Sequence, residues 1–173
     1  MSHLQHIQNK IVDLTQLKKL VAEWKKTNQR VVFTNGCFDI VHRGHVEYLA
    51  QTADCGDKLI IALNSDASVK RQGKGTTRPL QDEYARELLI ASLAFVDAVI
   101  LFDDDTPFDL ISEIVPDVLI KGGDYDPSCT DKTNKKYIVG SDVVKNNGGT
   151  VQVIQFVPGY STSKIEEKII NNN

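Results

Sequence analysis

The sequence predicts an α/β domain: a doubly wound, five-stranded parallel sheet in a single domain, preceded by an N-terminal helical lead-in. Three observations carry this expectation. Short apolar runs recur along the chain, and stretches of helical periodicity separate them. One of these runs, "KLIIAL", is apolar almost throughout, as a strand covered on both faces must be. Finally, 173 residues with 41% hydrophobic and 25% charged side chains suit one sizeable core rather than disorder or two full domains.

Leu17, Leu20, Val21 and Trp24 fall at helical spacing with Lys and Glu between them, which predicts an amphipathic helix of about three turns. It belongs to a lead-in over 1–29, with the main domain expected over 30–173. "VVFT" reads as the first strand, and 43–55 as a helix with Val46, Leu49, Ala50 and Ala53 on one face and Gly56 as C-cap. "KLIIAL" is the second strand, followed at "NSDAS" by a turn or helix start. Then come helix "DEYARELLIASLAF", strand "DAVILF", helix "TPFDLISEIV", and strands "DVLI" and "TVQVIQFV". Thr106, Pro107 and Asp109 suit a helix opening: an N-cap, a proline in the first turn and an acid at the positive dipole end. Residues 126–142 are polar and weakly patterned, an exposed loop or partner-contacting insertion before a short helix ending near Asn147-Gly148-Gly149. Buried strands alternating with helices make the expected architecture Rossmann-like, with both sheet faces covered.

The formal charge is −3 and no long basic block occurs, so neither a nucleic-acid surface nor a polybasic membrane patch is expected. "MSHLQHIQNKIVDL" lacks a basic start followed by a continuous apolar run, and no stretch approaches the roughly 20 apolar residues of a membrane span. A cytoplasmic protein is expected. The cysteines, Cys37, Cys55 and Cys129, are odd in number and lack CxxC spacing, so they read as reduced thiols rather than as a disulfide framework or structural zinc site.

In such sheets ligands bind beyond the carboxyl ends of the strands, where the strand order reverses. Those ends carry "TNGCFD", "NSD", "FDDDTP", "KGGDY" and "VPGYSTS", several of them rich in glycine or small hydroxyl residues that let backbone approach a ligand. After the first strand, His42-Arg43-Gly44-His45 opens a helix. A helix start offers free N–H groups and a positive dipole end, and Gly44 removes a side chain that would block approach. Two imidazoles beside it can donate to non-bridging phosphate oxygens, where donors matter most as charge grows in a transition state. The competing readings are ordinary surface histidines, or a zinc site, for which a third ligand of convincing spacing is lacking. His3-Leu4-Gln5-His6 repeats the spacing with no glycine, no preceding strand and no expected helix opening, so spacing alone carries little.

"SVKRQGKGTTRP" crowds Lys70, Arg71, Lys74 and Arg78 around a glycine-containing loop, which can close over a polyphosphate or simply be a solvated basic loop. "YSTSKIEEKII" offers Ser163 and Glu166 as a capping box with Ser161 and Thr162 just before, either a second hydroxyl-bearing helix start facing the ligand or a plain N-cap. By itself Arg86 reads as a surface residue and Gly122-Gly123 as a turn. Asp39 suits orienting a histidine, approaching a ribose, or an Asx-type turn.

In this order, "GCFDIVHRGH", "NSDASVKR", "RPLQDEYAR", "KGGDY" and "GYSTSKI" resemble the nucleotidyltransferase superfamily with the HxGH signature (cytidylyltransferase-like), over 31–169. Within it the chain is most similar to the adenylyltransferase portion of the bifunctional heptose 1-phosphate kinase/adenylyltransferases, and also resembles glycerol-3-phosphate cytidylyltransferases. The insertion after Tyr125 is longer than this family usually carries. The resemblance implies that His42 and His45, with Lys70, act on the triphosphate and its transition state. It implies a nucleotide-binding loop at Thr34, Gly36, Phe38, Asp39 and Gly44, with Asn64 and Arg86 toward the nucleotide as well. Gly122, Gly123 and Asp124 would line the nucleoside pocket, Ser161 and Thr162 would reach the phosphates, and Arg71, Lys74 and Arg78 would meet the acceptor. The implied chemistry is transfer of AMP from ATP to a sugar 1-phosphate with Mg²⁺ on the triphosphate, in a homodimer whose partners are small molecules. The alternatives are CTP with glycerol 3-phosphate, or a noncatalytic nucleotide sensor.

Overall fold

The computed structural model describes residues 1–73 and 78–171. Its strands are β1 (Val31–Gly36), β2 (Lys58–Asn64), β3 (Ala98–Phe102), β4 (Val118–Gly122) and β5 (Thr150–Ile154), all parallel in the order β3-β2-β1-β4-β5. The chain thus steps outward from β1 to β3, then jumps back across β1 to lay down β4 and β5. The order reverses between β1 and β4, and the connections there leave the carboxyl edge toward opposite faces.

The helices are α1 (His3–Gln8), α2 (Leu14–Lys26), α3 (Arg43–Ala53), α4 (Asp66–Arg71), α5 (Glu83–Ala91), α6 (Phe108–Ile114), α7 (Ser141–Asn146) and α8 (Thr162–Asn171). On one face Leu17 and Val21 of α2, Ile111 of α6 and Val144 of α7 pack against Phe33, Ile60 and Leu119. On the other, Tyr48 and Leu49 of α3 and Ile90 of α5 pack against Val32, Ile61 and Ile120. Val32 and Phe33, adjacent in sequence, serve opposite layers, which is why these strands are apolar at consecutive positions through their centres. The edge strand β5 departs from this: Thr150 and Gln152 are exposed, so it is not buried on both faces as predicted.

The structure moves several element boundaries. The N-terminal histidine pair does open a helix, α1, because Ser2 Oγ accepts the Gln5 N–H at 3.2 Å. In α2, Asp13 and Gln16 cap each other reciprocally, and Leu17 is wholly buried on the sheet. The buried stripe of α3 is Gly44, Tyr48, Leu49 and Thr52, whereas Val46 is exposed. Counting only apolar residues rotated the predicted face, because Tyr48 and Thr52 bury their polar atoms in hydrogen bonds to Thr34 and to backbone. The opening of α6 is one residue later than predicted: Pro107 occupies the cap position and no side chain, Thr106 included, makes a cap bond.

Gly56 does not cap α3, which ends at Ala53 with Asp54 as C-cap. Its role is close approach: a Cβ there would stand 2.7 Å from the Arg30 carbonyl oxygen and 2.6 Å from Val32 Cγ2. That carbonyl accepts the N–H groups of Asp57 and Lys58, so it cannot yield without disturbing the start of β1. Gly56→Ala is expected to destabilise the protein by about 1–3 kcal/mol through overpacking. Urea unfolding checks this, and an unchanged midpoint would show that the site relaxes freely.

Candidate active site

A cavity of about 880 Å³ opens at the carboxyl ends of β1 and β4, where the strand order reverses. Asn35 and Gly36 enter it from β1, Lys121 and Gly122 from β4, and His45 and Tyr48 from α3. Phe38, held at a φ of +47°, folds back beside them and meets the His45 ring edge-on at 5.2 Å between centroids.

His42 is the N-cap of α3: its Nδ1 accepts the His45 N–H at 3.3 Å. An accepting Nδ1 leaves the proton on Nε2, so His42 is a donor through that outer nitrogen. The two rings are stacked 3.8 Å apart at an interplanar angle of 16°. Gly44 makes room for this, since a Cβ there would lie 3.1 Å from the His42 ring and 3.1 Å from Tyr160 Cβ. With the His45 N–H taken by His42, the Arg43 and Gly44 N–H groups are those the helix start leaves facing outward.

Burial lowers the His42 pKa below the usual imidazole value. Burial, reinforced by the neighbouring His42 and opposed by the Ile40 carbonyl, brings His45 down to about 4. Both shifts favour the neutral ring, so His45 meets the cavity, and His42 stacks behind it, without a fixed charge. Between about pH 4 and the unfolded value of about 6.5, the unfolded chain binds a proton at His45 that the folded chain refuses. This contribution to stability is complete above that window and is lost as pH falls through it. Ligand-free His45→Gln is therefore expected to lose less stability than the wild type between pH 7 and pH 4.5, by denaturant titration; parallel losses would remove the burial argument.

Asp39 lines the cavity but makes no hydrogen bond to a histidine. Its carboxylate accepts the Leu80 and Gln81 N–H groups, each at 2.9 Å, and Arg78 Nη1 at 2.8 Å. Burial alone would raise its pKa, but these donors outweigh burial and hold it below the usual carboxylate range. Arg78 also pairs with Glu166 of α8, tying the last helix to the loop after β1. Glu166 is consequently not the reciprocal member of a Ser163 capping box; Ser161 Oγ accepts the Lys164 N–H instead.

Arg86 is wholly buried rather than on the surface. Its Nε bonds the Gln81 carbonyl at 3.2 Å, Nη1 the Cys37 carbonyl at 2.9 Å and Nη2 Asp66 at 2.7 Å. Each nitrogen is occupied inside the protein, so Arg86 braces the loop after β1 and is not turned toward phosphates. Thr34 is likewise buried behind the cavity, its hydroxyl 2.7 Å from that of Tyr48, whose pKa burial pushes up to about 12. Asn64 lies on the cavity floor and donates to Ser68 Oγ at 3.0 Å.

The basic cluster divides. Arg78 lines the cavity, whereas Arg71 pairs with Asp105 at 2.8 Å and bonds the Asp103 carbonyl. Lys70 is exposed at the end of α4 and does not line the cavity; Lys74 lies outside the described residues. Gly122 reaches the cavity and Thr162 lines it from α8, but Gly123 and the exposed Asp124 do not. Ser161 instead lines a second cavity of about 460 Å³ with His42, Arg43 and Tyr160. Sequence reasoning missed Lys135, Tyr137 and Phe156, which also line the main cavity. Phe156 could have been suspected from its place just beyond β5; Lys135 and Tyr137 gave only the interleaved "KKY" of a polar loop.

The reversed parallel sheet, the cavity at its switch point and the paired histidines at the mouth of α3 define a class, the α/β nucleotidyltransferases. The chain belongs to the cytidylyltransferase-like family, whose model matches residues 33–168. It is 45% identical over 168 residues to the bifunctional protein HldE of Wolinella succinogenes, covering 97% of this chain and 33% of that protein. To HldE of Campylobacter jejuni it is 49% identical over 152 residues, covering 88% of this chain and 30% of the relative. The chain thus spans about a third of the length of these curated relatives. Among solved structures it resembles the lipopolysaccharide core biosynthesis protein from Thermoplasma volcanium, with a TM-score of 0.57 and 28% identity over 75% of this chain and 97% of that one. A pantoate-beta-alanine ligase from Francisella tularensis, at 13% identity and a TM-score of 0.58 over 94% of this chain and 76% of that one, shares the fold. Among the described residues no helix is long and apolar enough to cross a membrane, and no three His, Cys, Asp or Glu side chains cluster as a metal site.

Proposed function

We propose that the chain transfers AMP from ATP to a sugar 1-phosphate, D-glycero-β-D-manno-heptose 1-phosphate in particular, releasing an ADP-sugar and pyrophosphate. The observation that carries this reading is the stacked His42–His45 pair at the start of α3, beside a cavity at the sheet's switch point. At about 880 Å³ the cavity is large for a single small ligand and leaves room for nucleotide and acceptor together. The HldE relatives add support for the acceptor class, since the match covers nearly all of this chain.

An oxygen of the acceptor phosphate attacks the α-phosphorus in line; the new P–O bond forms as the bond to the bridging oxygen breaks, and pyrophosphate leaves with that electron pair. The reaction needs positioning and charge neutralisation rather than a covalent nucleophile. His42 and His45 donate hydrogen bonds to the α-phosphate oxygens as charge shifts toward the leaving group. Thr162 and Ser163 line the cavity at the start of α8, placed to hold the departing phosphates. The cavity carboxylates, Asp39 and Asp105, are each paired with an arginine, so Mg²⁺ fits as an ion carried on the triphosphate, where it supplies charge neutralisation, and not in a protein cage. A homodimer is part of the same reading.

A pyrophosphate-release assay pairing ATP, GTP, CTP and UTP with heptose 1-phosphate, other sugar 1-phosphates and glycerol 3-phosphate tests it. Turnover with ATP and heptose 1-phosphate is expected. Turnover only with CTP and glycerol 3-phosphate would move the substrates, and tight nucleotide binding with no turnover would replace the enzyme by a sensor.

A further inference from the structure

We propose that the loop between β4 and α7 is the acceptor-recognition wall of the cavity, with Lys135 binding the phosphate of the sugar 1-phosphate. The proposal rests on the transfer reading above and names the acceptor side of that site.

The cavity has two walls of different origin. His45 and Tyr48 reach it from the α3 face of the sheet, while Lys135, Tyr137 and Val139 reach it beside Ile138, which is packed in the core of the opposite face. The first wall carries the His45 imidazole, and the Thr162 and Ser163 hydroxyls of α8 line the same cavity. The second carries a cation and an aromatic side chain.

A transfer between two phosphates brings the reacting atoms of two anions to about 3–3.5 Å of each other before the bond forms, so each anion needs its own counter-charge. The one arginine among the described cavity-lining residues, Arg78, is already committed to Asp39 and Glu166, and Arg71, outside the lining, to Asp105 and the Asp103 carbonyl. Those same pairs neutralise the two cavity carboxylates, leaving the second wall cationic. Lys121 lies over the Tyr125 ring at 5.5 Å, whereas Lys135 makes no ion pair or hydrogen bond among the described residues. An exposed lysine in a disordered loop would bind weakly, but this loop is held. Asp126 N–H bonds the Lys136 carbonyl at 3.0 Å, Tyr137 N–H bonds the Asn134 carbonyl at 2.9 Å, and Tyr137 Oη donates to Asp142 at 3.2 Å. Ile138 is wholly buried. Lys135 therefore projects from anchored backbone and loses little freedom on binding. Tyr125 and Tyr137 line the same wall and add aromatic surface beside the sugar, the Tyr137 hydroxyl being held by Asp142.

The test uses the full chain as wild type, Lys135→Ala and Lys135→Arg. Calorimetry measures binding of heptose 1-phosphate, unphosphorylated heptose and α,β-methylene-ATP, alongside acceptor and ATP titrations of pyrophosphate release. Lys135→Ala is expected to weaken heptose 1-phosphate binding and raise its KM by about tenfold or more, the loss of one charge-assisted contact. Binding of the ATP analogue and of unphosphorylated heptose should be unchanged, and Lys135→Arg should recover most of the loss. Equal binding of heptose 1-phosphate by wild type and Lys135→Ala, an equal loss of ATP-analogue affinity, or no binding of heptose 1-phosphate to the wild type would each overturn the proposal. A wild type that shows the Lys135-dependent phosphate preference yet releases no pyrophosphate would support this site and overturn the transfer reading.

Discussion

His45→Ala is expected to lower kcat for pyrophosphate release by about 10²–10³-fold while leaving the melting temperature close to that of the wild type, the magnitude of losing one donor aimed at a developing oxyanion. The ring sits in the cavity, stacked on His42 and edge-on to Phe38, and its pKa of about 4 makes it a neutral donor at neutral pH. A neutral donor gains most where negative charge increases, so the loss should fall on kcat more than on the KM for ATP. His42→Ala must differ in kind. It also removes the acceptor that caps α3, and should cost about 1 kcal/mol of stability in addition to activity. Wild-type turnover in His45→Ala, or a loss confined to KM, would remove the ring from the transition state.

The strand–helix alternation was legible because the parallel strands are apolar at consecutive central positions and their ends are marked by glycine and small polar residues. The site was legible at His42-Arg43-Gly44-His45 for a local reason: strand, bend, helix start and glycine are all encoded within a few residues. At Asp39 and Glu166 what misled was a long-range partner. Asp39 offers three local readings, and none of them anticipates that its carboxylate is shared by Arg78, Leu80 and Gln81 about forty positions later. Glu166 has the spacing of a capping box with Ser163, yet the same arginine draws it away. The N-terminal His3/His6 pair shows the limit of the histidine spacing itself: it too begins a helix, but one with no buried residue and away from the lining of the main cavity. Position on the carboxyl edge of the sheet, more than the helix start, separates the two pairs.

Arg86→Ala is expected to destabilise the ligand-free protein by about 3 kcal/mol, the lower end of the cost of breaking a buried pair, because Asp66 is partly open to water. For a chain of this size that is a fall in Tm of roughly 6–12 °C. The side chain is wholly buried, and its three nitrogens join the carbonyls of Gln81 and Cys37 to Asp66. Removing it leaves two carbonyls and a carboxylate without their donors and frees the loop after β1, which carries Cys37, Phe38 and Asp39 beside the cavity. Arg86→Lys should recover only part of the loss, since an ammonium cannot reproduce the planar fork that reaches all three partners. The family resemblance implies a different outcome, in which Arg86 faces phosphates. ATP would then raise the Tm of wild type but much less that of Arg86→Lys, with the ligand-free proteins nearly equal. The geometry requires the reverse: a lowered ligand-free Tm in Arg86→Lys, with an ATP-induced rise close to that of wild type. Equal ligand-free stabilities would return Arg86 to the phosphates and leave the loop to be held by Asp39 and Arg78 alone.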